Sequence, residues 1–265
     1  QIINSDAKII NRLGSNALAN YLLVNKGVYA TDEDVPVNPA TGERMKAANN
    51  KNNGYVYMQA GDPIWVDVNG DYIIDDKDKV VGGNSQPRLT GGFNANLRYK
   101  SFSINTNFSF TIKRDIINKA LADRFAAYGN PLSKDLNGSG AITPIEAFDF
   151  WKEDHIYAKY PNPFDYIRGG TADHQVNFFR PDQTLFMEDG SFLKINGVSI
   201  SYVLPKKVLD FLRVERVQLN ASVNNIYTFS KYSGVNPENV NSLGYDVSGG
   251  YPNSRNYTMG VSIDF

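Results

Sequence analysis

Residues 89–112, Leu-Thr-Gly-Gly-Phe-Asn-Ala-Asn-Leu-Arg-Tyr-Lys-Ser-Phe-Ser-Ile-Asn-Thr-Asn-Phe-Ser-Phe-Thr-Ile, read as two strands joined by a tight turn at Tyr99-Lys100-Ser101-Phe102. Successive side chains of a strand point to opposite faces, and the two faces here separate cleanly. Leu89, Phe93, Ala95, Leu97 and Tyr99, then Phe102, Ile104, Phe108, Phe110 and Ile112, fall on one side. Thr90, Asn94, Asn96 and Arg98, then Ser103, Asn105, Asn107, Ser109 and Thr111, fall on the other. Strands of about ten residues with aromatics on one face and small polar groups on the other suit the wall of a transmembrane β-barrel, which meets lipid outside and water inside.

Three more segments repeat the pattern. Phe192 to Leu204 puts Val198, Ile200, Tyr202 and Leu204 on one face, with its earlier half out of phase around Gly197, where a bulge is expected, and Pro205 ends it. Val217, Leu219, Ala221 and Val223 alternate with Arg216, Gln218, Asn220, Ser222 and Asn224. Tyr257, Met259, Val261, Ile263 and Phe265 alternate with Asn256, Thr258, Gly260, Ser262 and Asp264. The whole reads as an all-β, transmembrane antiparallel β-barrel with about five membrane-length strands. Barrels need at least about eight, because an open sheet leaves backbone groups unpaired in hydrocarbon. The pattern therefore describes the carboxyl-terminal part of a larger barrel.

The connections alternate in length: the 99–102 turn and 205–213 are short, 113–191 and 227–254 are long. Outer-membrane barrels have short periplasmic turns and longer extracellular loops. Strand 88–99 then runs inward, 102–112 outward, 192–204 inward, 214–226 outward and the last inward, leaving Phe265 in the periplasm. Residues 1–87 read as an extracellular loop region with the end of a preceding strand, and 88–265 as the last strands with their loops. Within 113–191, Asp115 to Tyr128 is helical in pattern, with Ile116, Ile117, Ala120, Leu121 and Phe125 on one face. Trp151, Tyr157, Tyr160 and Phe164, broken by Pro161 and Pro163, indicate a packed surface lobe or, in the sharper reading, a mobile lid.

Composition removes several function classes. With 27 basic and 28 acidic residues in 265, a net charge of -1 and no basic run, the chain has no footprint for nucleic acid. No run of 18 apolar residues exists, so no helical span is expected, a test to which barrels are blind. The absence of cysteine excludes disulfides, thiolate metal sites and cysteine nucleophiles. The sequence opens on Gln1 without a signal-peptide pattern, and we read it as a piece of a longer precursor, the other reading being a processed soluble protein.

One motif points to a metal. Asp67, Asn69, Asp71, Asp75 and Asp78 occupy positions 1, 3, 5, 9 and 12 of a calcium-type acidic loop over 67–78, with the Ile73 carbonyl at position 7. Hard oxygen donors at this spacing wrap Ca2+. Tyr72 stands where such loops need glycine and would have to adopt a left-handed conformation. A solvated acidic turn is the other reading.

No catalytic constellation emerges. His155 and His174 are the only histidines and have no nucleophile–base or metal-pair spacing. Glu188/Asp189 and Glu153/Asp154 are adjacent pairs, whereas a glycosidase holds its two carboxyl groups about 5–9 Å apart across the sugar. Gly82-Gly83-Asn84 and Gly169-Gly170 lack the spacing of a phosphate cradle. The loop and lumen aromatics suit sugar rings or peptide side chains, or equally an interfacial girdle and loop packing.

Several ordered blocks resemble one family. They are Gly61-Asp62, Val66 to Asp71 and Ile74 to Asp78; Gly82 to Pro87 running into Thr90-Gly91-Gly92-Phe93; Glu188 to Leu193; Ser201-Tyr202-Val203-Leu204-Pro205; and Asn225 to Phe229 with Lys231-Tyr232-Ser233-Gly234. Upstream, Gly27-Val28-Tyr29 and Thr31-Asp32-Glu33-Asp34-Val35 add to them. Together they resemble the SusC/RagA-type TonB-dependent transporters of Bacteroidota outer membranes. Thr258, Gly260, Ile263 and Phe265 are similar to the carboxyl-terminal signal read by the barrel assembly machinery, with Ile263 in place of an aromatic.

The resemblance implies a barrel of about 22 strands, of which these residues supply the last strands and outer loops. It implies import of an oligosaccharide or peptide captured under a SusD-like surface lipoprotein, driven by TonB through an amino-terminal region outside these residues. It implies an outer-membrane location in contact with lipid, no enzymatic activity and no required cofactor. The readings set against it are a soluble calcium-dependent carbohydrate-binding β-sandwich and a surface glycosidase.

Overall fold

A computed structural model describes residues 9–10, 14, 19–49, 54–128, 145–165, 176–247 and 253–265. His174 lies outside the described residues. The chain divides into two compact units, each interrupted in sequence.

The first unit, Gln86–Ile116, Glu188–Val240 and Gly249–Phe265, carries a five-stranded sheet. Its strands are β1 (Leu89–Tyr99), β2 (Phe102–Ile112), β3 (Phe192–Val203), β4 (Arg216–Ser230) and β5 (Asn256–Asp264). Each pairs antiparallel with its sequence neighbour, so the sheet is an up-and-down meander. The register turns the alternation of each strand into rows across the sheet. Tyr99, Phe102, Tyr202, Leu219 and Val261 form one row, and Leu97, Ile104, Ile200, Ala221 and Met259 the next on that face. Between them, facing the other way, run Arg98, Ser103, Ser201, Asn220 and Gly260, then Asn96, Asn105, Ser199, Ser222 and Thr258.

The bulge expected near Gly197 is present. The register of β3 slips between Ile195 and Gly197, skipping Asn196. One extra residue reverses the facing of everything beyond it. Leu193 and Ile195, opposite Phe110 and Phe108, thereby join Val198, Ile200 and Tyr202 on the apolar face. Backbones crowd here: a Cβ on Gly197 would lie 2.8 Å from Asn224 Oδ1, so only glycine fits without a shift.

β4 runs to Ser230, past the expected end at 226. Asn225 takes a left-handed φ of 55° beside the slip, which breaks the alternation in sequence while Tyr227 and Phe229 resume pairing with Ile195 and Leu193. The short connection after β3 holds a seven-residue helix, Lys206–Leu212, closed by Arg213 in the left-handed region.

The apolar face of this sheet is a surface. Leu97 is 65% exposed and Met259 86%. A β-sandwich buries that face against a second sheet about 10 Å away, so this exposure argues against the sandwich reading. No helix among the described residues is long and apolar enough to cross a membrane, which says nothing about strands.

The second unit, Gln1–Ser85, Ile117–Met187 and Asn241–Ser248, is a lobe of short strands with three apolar clusters among the described residues, two of them large. In one, Trp65 and Phe178 pack with Leu23, Tyr29, Met45 and Met58. The other is aromatic and surrounds the helix Lys119–Tyr128, where the Phe125 ring meets Phe150 and Tyr160 edge-on at 4.7 and 4.8 Å. That helix starts later than the 115–128 pattern indicates, because Asp115–Ile117 is extended and buries Ile116 and Ile117. Of the four aromatics expected to form a surface lobe, Trp151 and Tyr160 are buried while Tyr157 and Phe164 are exposed. Trp151 Nε1 donates to the Ala30 carbonyl at 3.2 Å, tying the segment to the amino-terminal part of the lobe.

Candidate functional site

The sheet presents two chemically distinct surfaces. On the polar face Arg216 Nη2 donates to Gln218 Oε1 at 2.6 Å and Gln218 Nε2 to Asn220 Oδ1 at 2.8 Å. Ser109 Oγ donates to Asn196 Oδ1 at 3.2 Å. Amides and hydroxyls both donate and accept, so this face wets and can exchange bonds with a passing polar solute. The hydroxyls of the apolar face are those of Thr106 and of tyrosines such as Tyr99 and Tyr202, and its aromatics meet across strands, the Phe102 and Tyr202 ring centroids 4.4 Å apart.

The lobe is held by charges that sequence reasoning missed. Lys79, fully buried, places Nζ 2.7 Å from Asp182 and 2.8 Å from Asp76, and Arg180 binds Asp182 through two bonds of 2.7 Å. Burial alone pushes the Asp182 carboxyl up; the Arg180 bonds and the Arg180 and Lys79 charges outweigh it and hold the group far below the ordinary carboxylate range. Beside it, Gln183 uses its whole amide: Oε1 accepts from Trp65 Nε1 at 2.8 Å and Asn25 Nδ2 at 3.1 Å, and Nε2 donates to the Phe178 and Arg180 carbonyls. Residues more than a hundred positions apart meet here, and no local spacing announces it.

An open cavity of about 580 Å³ indents the lobe, lined by Lys26, Tyr29, Asp34, Trp65, Asp67 and Tyr157 among others. Tyr29 is pushed to about 12 by burial and by the Asp62 charge, so its hydroxyl stays a donor and faces the Met45 sulfur at 3.6 Å.

The acidic loop folds around its own backbone. Asp67 accepts from the Gly70 and Tyr72 amides at 2.7 and 2.8 Å, and Asp71 from Ile73 at 2.8 Å. Asn69 accepts from Asp71 at 2.9 Å, Asp75 from Lys77 at 2.6 Å, and Asp78 from Val68 and Asp75 at 2.9 and 2.8 Å. Tyr72 does take the left-handed conformation, φ 61°. Burial raises the Asp78 carboxyl while the Asp75 and Val68 amides oppose the rise. Among the described residues no group of three or more His, Asp or Glu is placed to hold a metal ion.

The other candidates are placed as follows. Thr258 and Gly260 lie on the polar face of β5, Ile263 on its apolar face opposite Val217, and Phe265 is 89% exposed at the end of the chain. His155 Nε2 lies 2.6 Å from Asp149 Oδ1 on the surface. Glu188 accepts from the Ser233 amide and hydroxyl at 2.7 Å, and Asp189 from the Ser191 amide at 2.9 Å, so both carboxylates cap loops.

A long-stranded meander with one apolar and one polar face, its long connections contributing to a lobe, has the alternation of β-barrel wall strands. The chain is 26% identical over 216 residues to the TonB-dependent receptor P3 of Formosa agariphila, covering 77% of the chain and 19% of that receptor. It is 25% identical over 275 residues to the TonB-dependent receptor SusC of Bacteroides thetaiotaomicron, covering 96% of the chain and 24% of that receptor. Among solved structures it matches the RagAB peptide importer in the open-open state with a TM-score of 0.60 at 17% identity, over 99% of this chain and 24% of that one. No family model matches. The chain thus spans about a fifth to a quarter of the length of these relatives. The resemblance to SusC/RagA-type transporters carried by the motifs is upheld by both sequence and fold. These relatives are named as receptors, importers and transporters, none as an enzyme.

Proposed function

We propose that these residues form the last wall strands and outer loops of a TonB-dependent outer-membrane transporter that imports oligosaccharides or peptides with a SusD-like surface lipoprotein. The observation that carries the reading is the exposed apolar face of the meander, with Leu97, Tyr99, Met259 and Val261 each more than 60% exposed. A soluble protein seldom leaves so large an apolar patch uncovered. The barrel would close at about 22 strands, with the amide and hydroxyl face lining the transport path. The outer lobe would bear on substrate and lipoprotein. Energy coupling through TonB would reside in other parts of the transporter, and the wall chemistry needs no cofactor.

Fractionation of cells expressing the full-length protein tests this. The reading expects the product in the outer membrane, resistant to alkaline extraction, co-purifying with a surface lipoprotein and a bound oligosaccharide or peptide. Recovery in the soluble periplasm overturns it.

A further inference from the structure

The helix Lys206–Leu212 connects β3 and β4 and turns an apolar stripe outward. Val208, Phe211 and Leu212 lie at i, i+3 and i+4 on one helical face, and Phe211 is 85% exposed, whereas Leu209 is half-buried. A helix this short gains little from its own backbone, and so exposed a Phe211 adds little to packing among the described residues. Its charges are as unexplained by the local fold. Lys206 and Lys207 stand in the first turn, where the backbone dipole disfavours cations.

Two neighbouring features share this end of the sheet. The β1–β2 turn brings exposed Lys100, whose Nζ sits 5.3 Å from the centroid of the Tyr99 ring, and the exposed Arg213 follows the helix. The acidic groups in the same connection are Asp210 and Glu215. On β1, β2 and β3 the last apolar row of the wall here is aromatic, Tyr99, Phe102 and Tyr202. An aromatic row bordered by exposed lysines and a helix with an outward apolar stripe matches the boundary between lipid chains and anionic headgroups.

We propose that the short-connection end of this sheet docks on an anionic phospholipid leaflet, Phe211 and Leu212 entering the headgroup–acyl boundary and Lys206 and Lys207 pairing with lipid phosphates. The inference rests on the reading of the apolar sheet face as membrane wall. The occupant is lipid because the helix follows directly on a strand whose last apolar residue in the aromatic row is Tyr202, and because the exposed Lys206, Lys207 and Lys100 complement phosphate.

The test uses the full-length protein with cysteines elsewhere replaced, this chain having none. A bimane is attached at position 211 (Phe211→Cys) or 259 (Met259→Cys), and the protein is reconstituted into phosphatidylethanolamine vesicles containing phosphatidylglycerol. Met259 lies on the wall one apolar row further into the sheet, about 7 Å. The bimane at 211 should be quenched several-fold more by a nitroxide near the lipid headgroup than by one deep in the chain, and the bimane at 259 more by the deeper one. Lys206→Glu with Lys207→Glu should at least halve shallow quenching at 211 in phosphatidylglycerol vesicles and leave it unchanged in pure phosphatidylcholine. Free access of a water-soluble quencher to 211, or shielding from every quencher as under a protein partner, overturns the inference while lipid quenching at 259 leaves the wall intact. Loss of lipid quenching at 259 overturns both. Leu212→Cys replaces Phe211→Cys if the latter does not assemble.

Discussion

The Phe93 and Phe108 rings stack across β1 and β2, with centroids 4.4 Å apart and planes 14° from parallel, on the exposed apolar face. In water such a pair would be a liability; in hydrocarbon it is ordinary packing between neighbours. Its partner surface is therefore decided by the solvent.

Phe108→Arg puts a charge in the middle of that face, at about 2–4 kcal/mol near a bilayer midplane. The folded, heat-modifiable form of the full-length protein in outer membranes should fall several-fold on semi-native electrophoresis. Asn107→Arg, one residue away on the polar face, should assemble near normally.

Gly197→Val forces a side chain into the space between β3 and β4, where even a Cβ meets Asn224 Oδ1 at 2.8 Å and the Val223 carbonyl at 3.3 Å. Overpacking of this kind costs about 1–3 kcal/mol. Thermal unfolding of the detergent-solubilised protein should shift down, and more than for Gly260→Val, where nothing lies within 4 Å.

The wall could be read ahead of the structure because its information is local. Alternation alone placed β1, β2 and the bulge, since residues two apart on a strand share a face. The end of β4 escaped because Asn225 interrupts the alternation. The lobe was largely illegible: Gln183 finds Trp65, and Asp182 finds Lys79, across more than a hundred residues. The acidic loop was legible as a turn of regularly spaced carboxylates. Its spacing is that of a calcium loop, yet the same carboxylates serve the backbone amides of the turn, and spacing cannot separate these uses.

Asp182→Asn removes the anion that Lys79 and Arg180 share. Breaking a buried pair on one side costs about 3–5 kcal/mol, so protease resistance of the lobe in the intact protein should drop at neutral pH. The pH dependence has a definite sign. The Asp182 carboxyl is depressed in the folded state, so its contribution is complete above its unfolded value of about 4 and is lost progressively as pH falls below it. The unsubstituted lobe should loosen on acidification below about pH 4, and the variant should show a shallower slope there.

Gln183→Leu leaves the Trp65 indole and the Asn25 amide without their shared acceptor inside the lobe. Each stranded donor costs about 1–3 kcal/mol. Limited proteolysis should cut the lobe faster in this variant, with the heat-modifiability of the barrel unchanged.

The central claim, that one face of the meander meets lipid and the other water, is tested most directly by a nitroxide scan of residues 198–203 through β3 in the full-length protein reconstituted in vesicles. The account predicts a period of two: labels at 198, 200 and 202 relaxed by oxygen, and those at 199, 201 and 203 by a water-soluble nickel chelate. Labels at 198, 200 and 202 shielded from both agents, as inside a packed soluble core, would contradict it.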